Sequence, residues 1–109
     1  MFRKVLNQDM FSNKPTINIL TSLLLSKGVR KAVLCPGSRN IRIVHNFLEC
    51  DDMECFQVTD ERSAAFYALG LSLATGEPVV VCVTSGSALL NTSPAVVEAF
   101  YRHIPLIVI

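Results

Sequence analysis

Charge is scarce in this sequence and neither sign dominates. Only 17% of the 109 residues are charged, and the formal net charge is +1. A chain so close to neutral has no basic surface for nucleic acid or an anionic membrane, so we expect neither as a partner. No apolar run reaches the roughly 20 residues of a membrane-spanning helix, and residues 1–4 do not resemble the start of a signal peptide. These absences predict a cytoplasmic protein.

Paired cysteines are also absent. The four cysteines are Cys35, Cys50, Cys55 and Cys82, and no two of them form a CxxC pair. Tetrahedral zinc sites usually contain closely paired ligands. We therefore expect reduced thiols that fill the core and no metal ligands in this chain.

Hydrophobic residues, by contrast, make up half of the chain. One explanation is a parallel sheet covered by helices on both faces, whose strands are apolar on both sides. The other is a surface that is covered only in a larger assembly. The sequence alone does not choose between them.

Helical and strand patterns alternate along the sequence. We predict helices at 15–27, 39–49, 61–75 (capped by Asp60) and 93–101, and strands at 33–35, 55–59, 78–84 and 105–109. This alternation predicts an α/β fold with a doubly wound, mostly parallel sheet and helices on both faces. The run 78–84 is apolar throughout and should be central. Because the sequence stops on an apolar strand, we expect residues 1–109 to be a single partial domain with the downstream domains absent.

Three polar loops should meet at one edge of this sheet. They are the first loop (residues 36–40), the second loop (residues 59–62) and the third loop (residues 84–87). Each follows a strand, and ligands of open parallel sheets bind at the carboxyl ends of the strands. Helix N-termini there favour anions.

Each loop allows a functional and a purely structural interpretation. Ser38 could cap a helix that begins at Arg39, and Arg39 could then clamp a carboxylate or simply be solvated. Glu61 could complement the helix dipole, or it could face an apolar ligand and share a proton with a heterocyclic nitrogen. Gly86 could allow close backbone approach or form an ordinary turn. Neither a P-loop nor a GxGxxG pattern is present.

Several other side chains give no chemical signal. His45 and His103 have no serine, cysteine or aspartate at a recognisable spacing, so we expect surface or packing roles. Phe66, Tyr67 and Phe100 are predicted to lie in the core.

The three loops and their flanks resemble a known family. Residues 35–40 (CPGSRN), 59–70 (TDERSAAFYALG) and 84–88 (TSGSA), with Asn91 and 94–95 (PA), are similar to thiamine-diphosphate enzymes. Within that family they resemble the 2-succinyl-5-enolpyruvyl-6-hydroxy-3-cyclohexene-1-carboxylate synthases of menaquinone biosynthesis. The resemblance covers about residues 15–109.

The resemblance implies the N-terminal, pyrimidine-binding domain of a transferase. Such enzymes decarboxylate 2-oxoglutarate and add the resulting succinyl-semialdehyde carbanion to isochorismate. Glu61 would be catalytic and hydrogen-bond the aminopyrimidine of thiamine diphosphate. Ser85 and Gly86 would lie beside the cofactor. The family works as a homo-oligomer, a dimer or a dimer of dimers, and holds Mg²⁺ (or Mn²⁺) in a domain not present here.

The substrate-binding positions implied by the resemblance are Ser38, Arg39, Ser87 and Asn91. Two residues depart from the family pattern: Arg42 replaces a common proline, and Ser87 replaces the more usual threonine. Because the magnesium and diphosphate motif is missing, we expect the isolated chain to be inactive. Two alternatives remain open, namely another thiamine-diphosphate decarboxylase or carboligase of the acetolactate-synthase kind, and a stand-alone, non-catalytic flavodoxin-like binding module.

Overall fold

A computed structural model describes residues 12–109, in which helices and strands alternate as predicted. The elements in chain order are α1 (Pro15–Ser26), β1 (Lys31–Leu34), α2 (Ile41–Leu48), β2 (Glu54–Gln57), α3 (Glu61–Thr75), β3 (Val79–Cys82), α4 (Ser87–Leu90), α5 (Ser93–Arg102) and β4 (Leu106–Val108). The short helix α4 was not predicted. None of the helices in this part of the chain is long and apolar enough to cross a bilayer.

The four strands form one parallel sheet in the order β2-β1-β3-β4. Val33 of β1 is in register with Phe56 of β2 on one side and Val81 of β3 on the other. All four residues of β3 are buried, which confirms that this apolar strand is central. The chain runs outward from β1 to β2 and then returns to the other side of β1. The switch in direction therefore lies between β1 and β3, where open sheets of this class bind ligands.

Helices cover both faces of the sheet, as predicted for a doubly wound α/β fold. On the first face, Leu24 and Leu25 of α1 and Val44 and Phe47 of α2 form one buried cluster with strand residues such as Leu34. On the second face, α3 packs through alanines, and the cluster comprises Val33, Cys35, Ala64, Ala68, Val79, Val81, Val83 and Ala88. Helix α5 packs beside α3.

Two local predictions were wrong. Helix α2 begins at Ile41, so Ser38 does not cap it and Arg39 lies in the preceding turn. The aromatic residues predicted for the core are partly or largely exposed: 41% for Phe66, 45% for Tyr67 and 73% for Phe100. They are exposed because small residues, mainly alanines, occupy the buried positions of α3 and α5.

Candidate functional site

The first loop takes its shape from the buried side chain of Asn40. The amide oxygen and the amide nitrogen of this side chain both form hydrogen bonds with the backbone at the start of the loop. Its Oδ1 accepts from the Gly37 N–H at 2.7 Å, and its Nδ2 donates to the Cys35 carbonyl at 3.0 Å. These bonds hold residues 38–40 in a turn, which is why α2 begins only at Ile41. Ser38 and Arg39 are exposed at the tip of the loop.

The first and third loops touch at Gly37. A Cβ added to this glycine would lie 2.7 Å from the Cβ of Thr84, which is too close for any real contact. Glycine is therefore required here for space. Asn40 adds a second link, because its Nδ2 lies 3.5 Å from the Sγ of Cys82 at the end of β3. The carboxyl ends of β1 and β3 thus support two loops that pack on each other.

The second loop places two carboxylates side by side with different surroundings. Asp60 caps α3, and its Oδ2 accepts from the Ser63 N–H at 2.8 Å. Hydrogen bonding by Ser63, first by its side chain and then by its backbone, lowers the pKa of Asp60. Glu61 is the first residue of α3 and is half-buried. Among residues 12–109, nothing hydrogen-bonds or pairs with its carboxylate, so the acceptor is available to a ligand.

Cys35 connects the first two loops at the end of β1. Its thiol donates to the Val58 carbonyl at 2.9 Å, just before the second loop. Burial raises the pKa of Cys35 to about 11, and the negative charges of Glu61, Cys82 and Asp60 add to the shift. The thiol is therefore protonated near neutral pH. It is a structural donor and not a thiolate nucleophile.

The third loop depends on the backbone of Gly86. This residue has φ 79° and ψ −134°, a conformation that is essentially restricted to glycine. A side chain there would meet nothing within 4 Å, so the requirement is conformational. Ser85 and Ser87 are exposed on either side of it, and Ser87 begins α4. The amide of Asn91 donates back to the Ser87 carbonyl at 2.8 Å, which closes this short helix.

A cavity of about 270 Å³ lies between the first and third loops, at the switch point of the sheet. Its lining residues come from α2, both loops, α4 and the end of β4: Arg39, Asn40, Ile43, Val83, Thr84, Ser85, Leu89 and Ile109. It brings together two of the predicted site residues, Arg39 and Ser85. The other predicted residues, Ser38, Glu61, Gly86, Ser87 and Asn91, lie at the same edge without lining this cavity.

A larger cavity, of about 460 Å³, lies elsewhere, along α2. It is lined by Ser12, Asn13, Ile41, Arg42, Val44, His45 and Leu48, and His45 is exposed there as expected for a surface histidine. None of its lining residues belongs to the three loops. We therefore place the candidate site at the switch point and not in the larger cavity.

Sequence reasoning missed the structural parts of this site. Asn40 was seen only as a member of the first loop, and Thr84 only as the residue at which a strand ends and the third loop begins. One signal could have identified Asn40: an asparagine three residues after glycine, in a loop that leaves a buried strand, can fold back on that loop's backbone. Residues 12–109 contain no group of three or more histidine, cysteine or acidic side chains that could hold a metal ion.

Comparisons with known proteins agree with this geometry. Residues 16–109 match the family model of the thiamine pyrophosphate enzyme N-terminal TPP-binding domain. The chain is 61% identical over 100 residues to the 2-succinyl-5-enolpyruvyl-6-hydroxy-3-cyclohexene-1-carboxylate synthase of Phocaeicola vulgatus and 54% identical to that of Bacteroides fragilis. Both alignments include 92% of this chain and 18% of the relative. The chain therefore spans about a fifth of the length of the curated relatives it matches.

Solved structures show the same fold in this family. A thiamine diphosphate-dependent 4-hydroxybenzoylformate decarboxylase of Rhodococcus jostii superposes with a TM-score of 0.77 at 26% identity, over 87% of this chain and 18% of that chain. A thiamin diphosphate-dependent enzyme from Mycobacterium smegmatis gives 0.76 at 26% identity, over 89% and 18%. The resemblance inferred from the three loops is confirmed: the chain belongs to the thiamine pyrophosphate enzyme family, and residues 16–109 match its N-terminal TPP-binding domain.

Proposed function

We propose that this chain is the cofactor-activating part of a synthase that decarboxylates 2-oxoglutarate and adds the succinyl-semialdehyde unit to isochorismate. The observation that carries the proposal is Glu61, a half-buried residue whose carboxylate has no hydrogen-bond or ion-pair partner within residues 12–109. The neighbouring Asp60 is already engaged by its helix. The 61% identity to a 2-succinyl-5-enolpyruvyl-6-hydroxy-3-cyclohexene-1-carboxylate synthase supports the choice of substrates.

The residues present fit one end of thiamine diphosphate. Glu61 would share a proton with a ring nitrogen of the aminopyrimidine, while Ser85 and Gly86 would lie beside the ring. When bound, the cofactor supplies the carbon nucleophile. Mg²⁺ (or Mn²⁺) and the diphosphate would be held by another domain, since the described residues contain no cluster of metal ligands.

The substrates would be bound through their carboxylates. Arg39 and Ser85 both line the cavity at the carboxyl edge of the sheet. A guanidinium is suited to a carboxylate because it can form two parallel hydrogen bonds with it. Ser38, Ser87 and Asn91 would complete the substrate contacts from the first and third loops.

We propose a homo-oligomer in the cytoplasm. Large apolar side chains are exposed on α4 and α5, with Leu90 at 72%, Phe100 at 73% and Tyr101 at 75%. An exposed apolar surface of this kind is typical of a protein–protein interface. This supports the second explanation of the high hydrophobic content, a surface that is covered in an assembly.

The test compares two neighbouring carboxylates in the native gene product, the protein encoded by the whole reading frame that contains these residues. We expect Glu61→Gln to reduce kcat at least about 100-fold, because it removes the proton partner. Asp60→Asn is the matched control, since asparagine also caps helices and the charge change is the same. Retention of half the activity by Glu61→Gln would contradict the role of Glu61.

Donor profiling of the same protein separates the proposed synthase from its nearest alternative. We expect 2-oxoglutarate to be consumed with isochorismate as acceptor. Consumption of pyruvate in its place would favour another thiamine-diphosphate carboligase. The isolated 109-residue chain should show no turnover.

A further inference from the structure

Two buried asparagines, Asn40 at the N-cap of α2 and Asn46 within α2, hold different parts of the structure. Asn40 is 4% exposed and Asn46 is fully buried, and both use the oxygen and the nitrogen of the amide. Asn46 accepts from the Ser12 N–H at 2.8 Å and donates to the Thr21 hydroxyl at 2.7 Å, so it joins α1 to α2. Asn40 instead holds the first loop.

The hydrogen bonds of Asn40 determine which residues of the first loop face outward. By linking the Gly37 N–H to the Cys35 carbonyl through one amide group, Asn40 draws the two ends of the loop together. The residues between them, Ser38 and Arg39, are exposed. Without the amide, the buried Cys35 carbonyl and the part-buried Gly37 N–H would lose these partners, and the loop would have to rearrange to reach water.

Asn40 also fixes the first loop relative to the third. Its Nδ2 approaches the Cys82 Sγ at 3.5 Å, and Gly37 is pressed against Thr84. The cavity that contains both Arg39 and Ser85 lies between these loops. The placement of Arg39 at this cavity therefore depends on the buried side chain of the next residue, Asn40.

We propose that Asn40 is a positioning residue that holds the first loop in the one conformation in which Arg39 can receive a substrate carboxylate. The inference rests on the proposed function, because it assumes a carboxylate substrate in this cavity. Asn40 acts through Gly37 and Arg39 and not on the reacting atoms. It should therefore affect substrate affinity more than the chemical step.

The experiment measures kcat and KM of the native gene product with Asn40→Ala and with Asn46→Ala. We expect Asn40→Ala to raise KM for at least one carboxylate substrate about 10- to 100-fold, with kcat within about threefold of wild type. Asn46→Ala removes another buried amide that bonds through both its oxygen and its nitrogen, so it should lower the midpoint of thermal unfolding without raising KM. If Asn40→Ala does not accumulate, Asn40→Ser replaces it, with a change in KM in the same direction.

Amide exchange gives a readout that does not depend on turnover. In Asn40→Ala the Gly37 N–H should exchange at least tenfold faster than in wild type, whereas Asn46→Ala should leave it unchanged. A KM within twofold of wild type in the Asn40 variants, or an equal rise in the Asn46 variant, would overturn the inference. KM is measured with whichever 2-oxo acid the wild type accepts, so a donor other than 2-oxoglutarate refutes the proposed function without deciding the role of Asn40.

Discussion

The two faces of the sheet are packed in different ways. The first face is filled by large side chains of α1 and α2, of which Phe47 is the largest fully buried one. The second face is filled by Ala64 and Ala68 against β-branched strand residues, so α3 lies close to the sheet. Large side chains leave cavities when they are shortened, whereas small ones leave no room when they are lengthened. The same fold is therefore sensitive to opposite changes on its two sides.

The largest expected effect is on the first face. Phe47→Ala should lower the free energy of unfolding of the 109-residue chain by about 3–5 kcal/mol, because the surrounding helices cannot close the cavity. Urea unfolding followed by circular dichroism measures the change. Leu48→Ala is the control on the same helix, since Leu48 is 60% exposed and should change stability by no more than about 0.5 kcal/mol. Equal losses in the two variants would show that the first face is not packed as described.

An intermediate effect is expected on the second face. Ala68→Leu should lower the free energy of unfolding by about 1–3 kcal/mol, because the added carbons force α3 away from β1 and β3. The matched control is Ala74→Leu, at an exposed position of the same helix. Unfolding in urea gives both values. An Ala68→Leu variant as stable as wild type would mean that the helix has room to spare, and the contrast between the faces would fail.

The effect that is smallest at neutral pH concerns two buried thiols, one on each face, whose ionisation changes stability only in alkali. Burial raises the pKa of Cys82, on the first face, to about 11, and the same is true of Cys35 on the second. Well below pH 9 both thiols are protonated whether the chain is folded or not. Between pH 9 and 11 they ionise only in the unfolded chain, so stability falls as pH rises.

The measurement is the free energy of unfolding of Cys82→Ala across this pH range. Each such thiol contributes up to about 1.4 kcal/mol per pH unit to the slope of the free energy of unfolding against pH. Removing Cys82 should therefore make this slope less steep, by no more than that amount. Val81→Ala is the control, because it shortens a neighbouring buried side chain that does not titrate. It should lower the free energy of unfolding at every pH and leave the slope unchanged. Parallel curves for Cys82→Ala and wild type would show that Cys82 ionises equally in both states.

Local signals in the sequence predicted most elements of the fold. Helix α3 was predicted to its last residue, because Asp60 is a good N-cap and Gly76, with φ 72°, a good C-cap. The central strand was recognisable because a strand buried on both faces is apolar throughout. The start of α2 was missed, because the side chain of Asn40 bonds to residues of the preceding loop and strand rather than to its own helix.

The candidate site was predicted in part. The alternation of strands and helices placed the three loops at one edge of the sheet, and Arg39 and Ser85 line the same cavity there. The aromatic residues were misplaced because hydrophobicity indicates that a side chain avoids water and does not indicate whether its own domain or a partner covers it.

The sequence by itself determined the fold class, the family and the identity of the acidic residue at the start of α3, because these depend on local patterns and on motifs at fixed spacing. Only the tertiary structure decided that Asn40 supports the first loop, that Gly37 leaves room for Thr84, and that Asp60 is occupied while Glu61 is available. Each of these depends on distances between residues that are close in space, and spacing along the chain does not determine such distances.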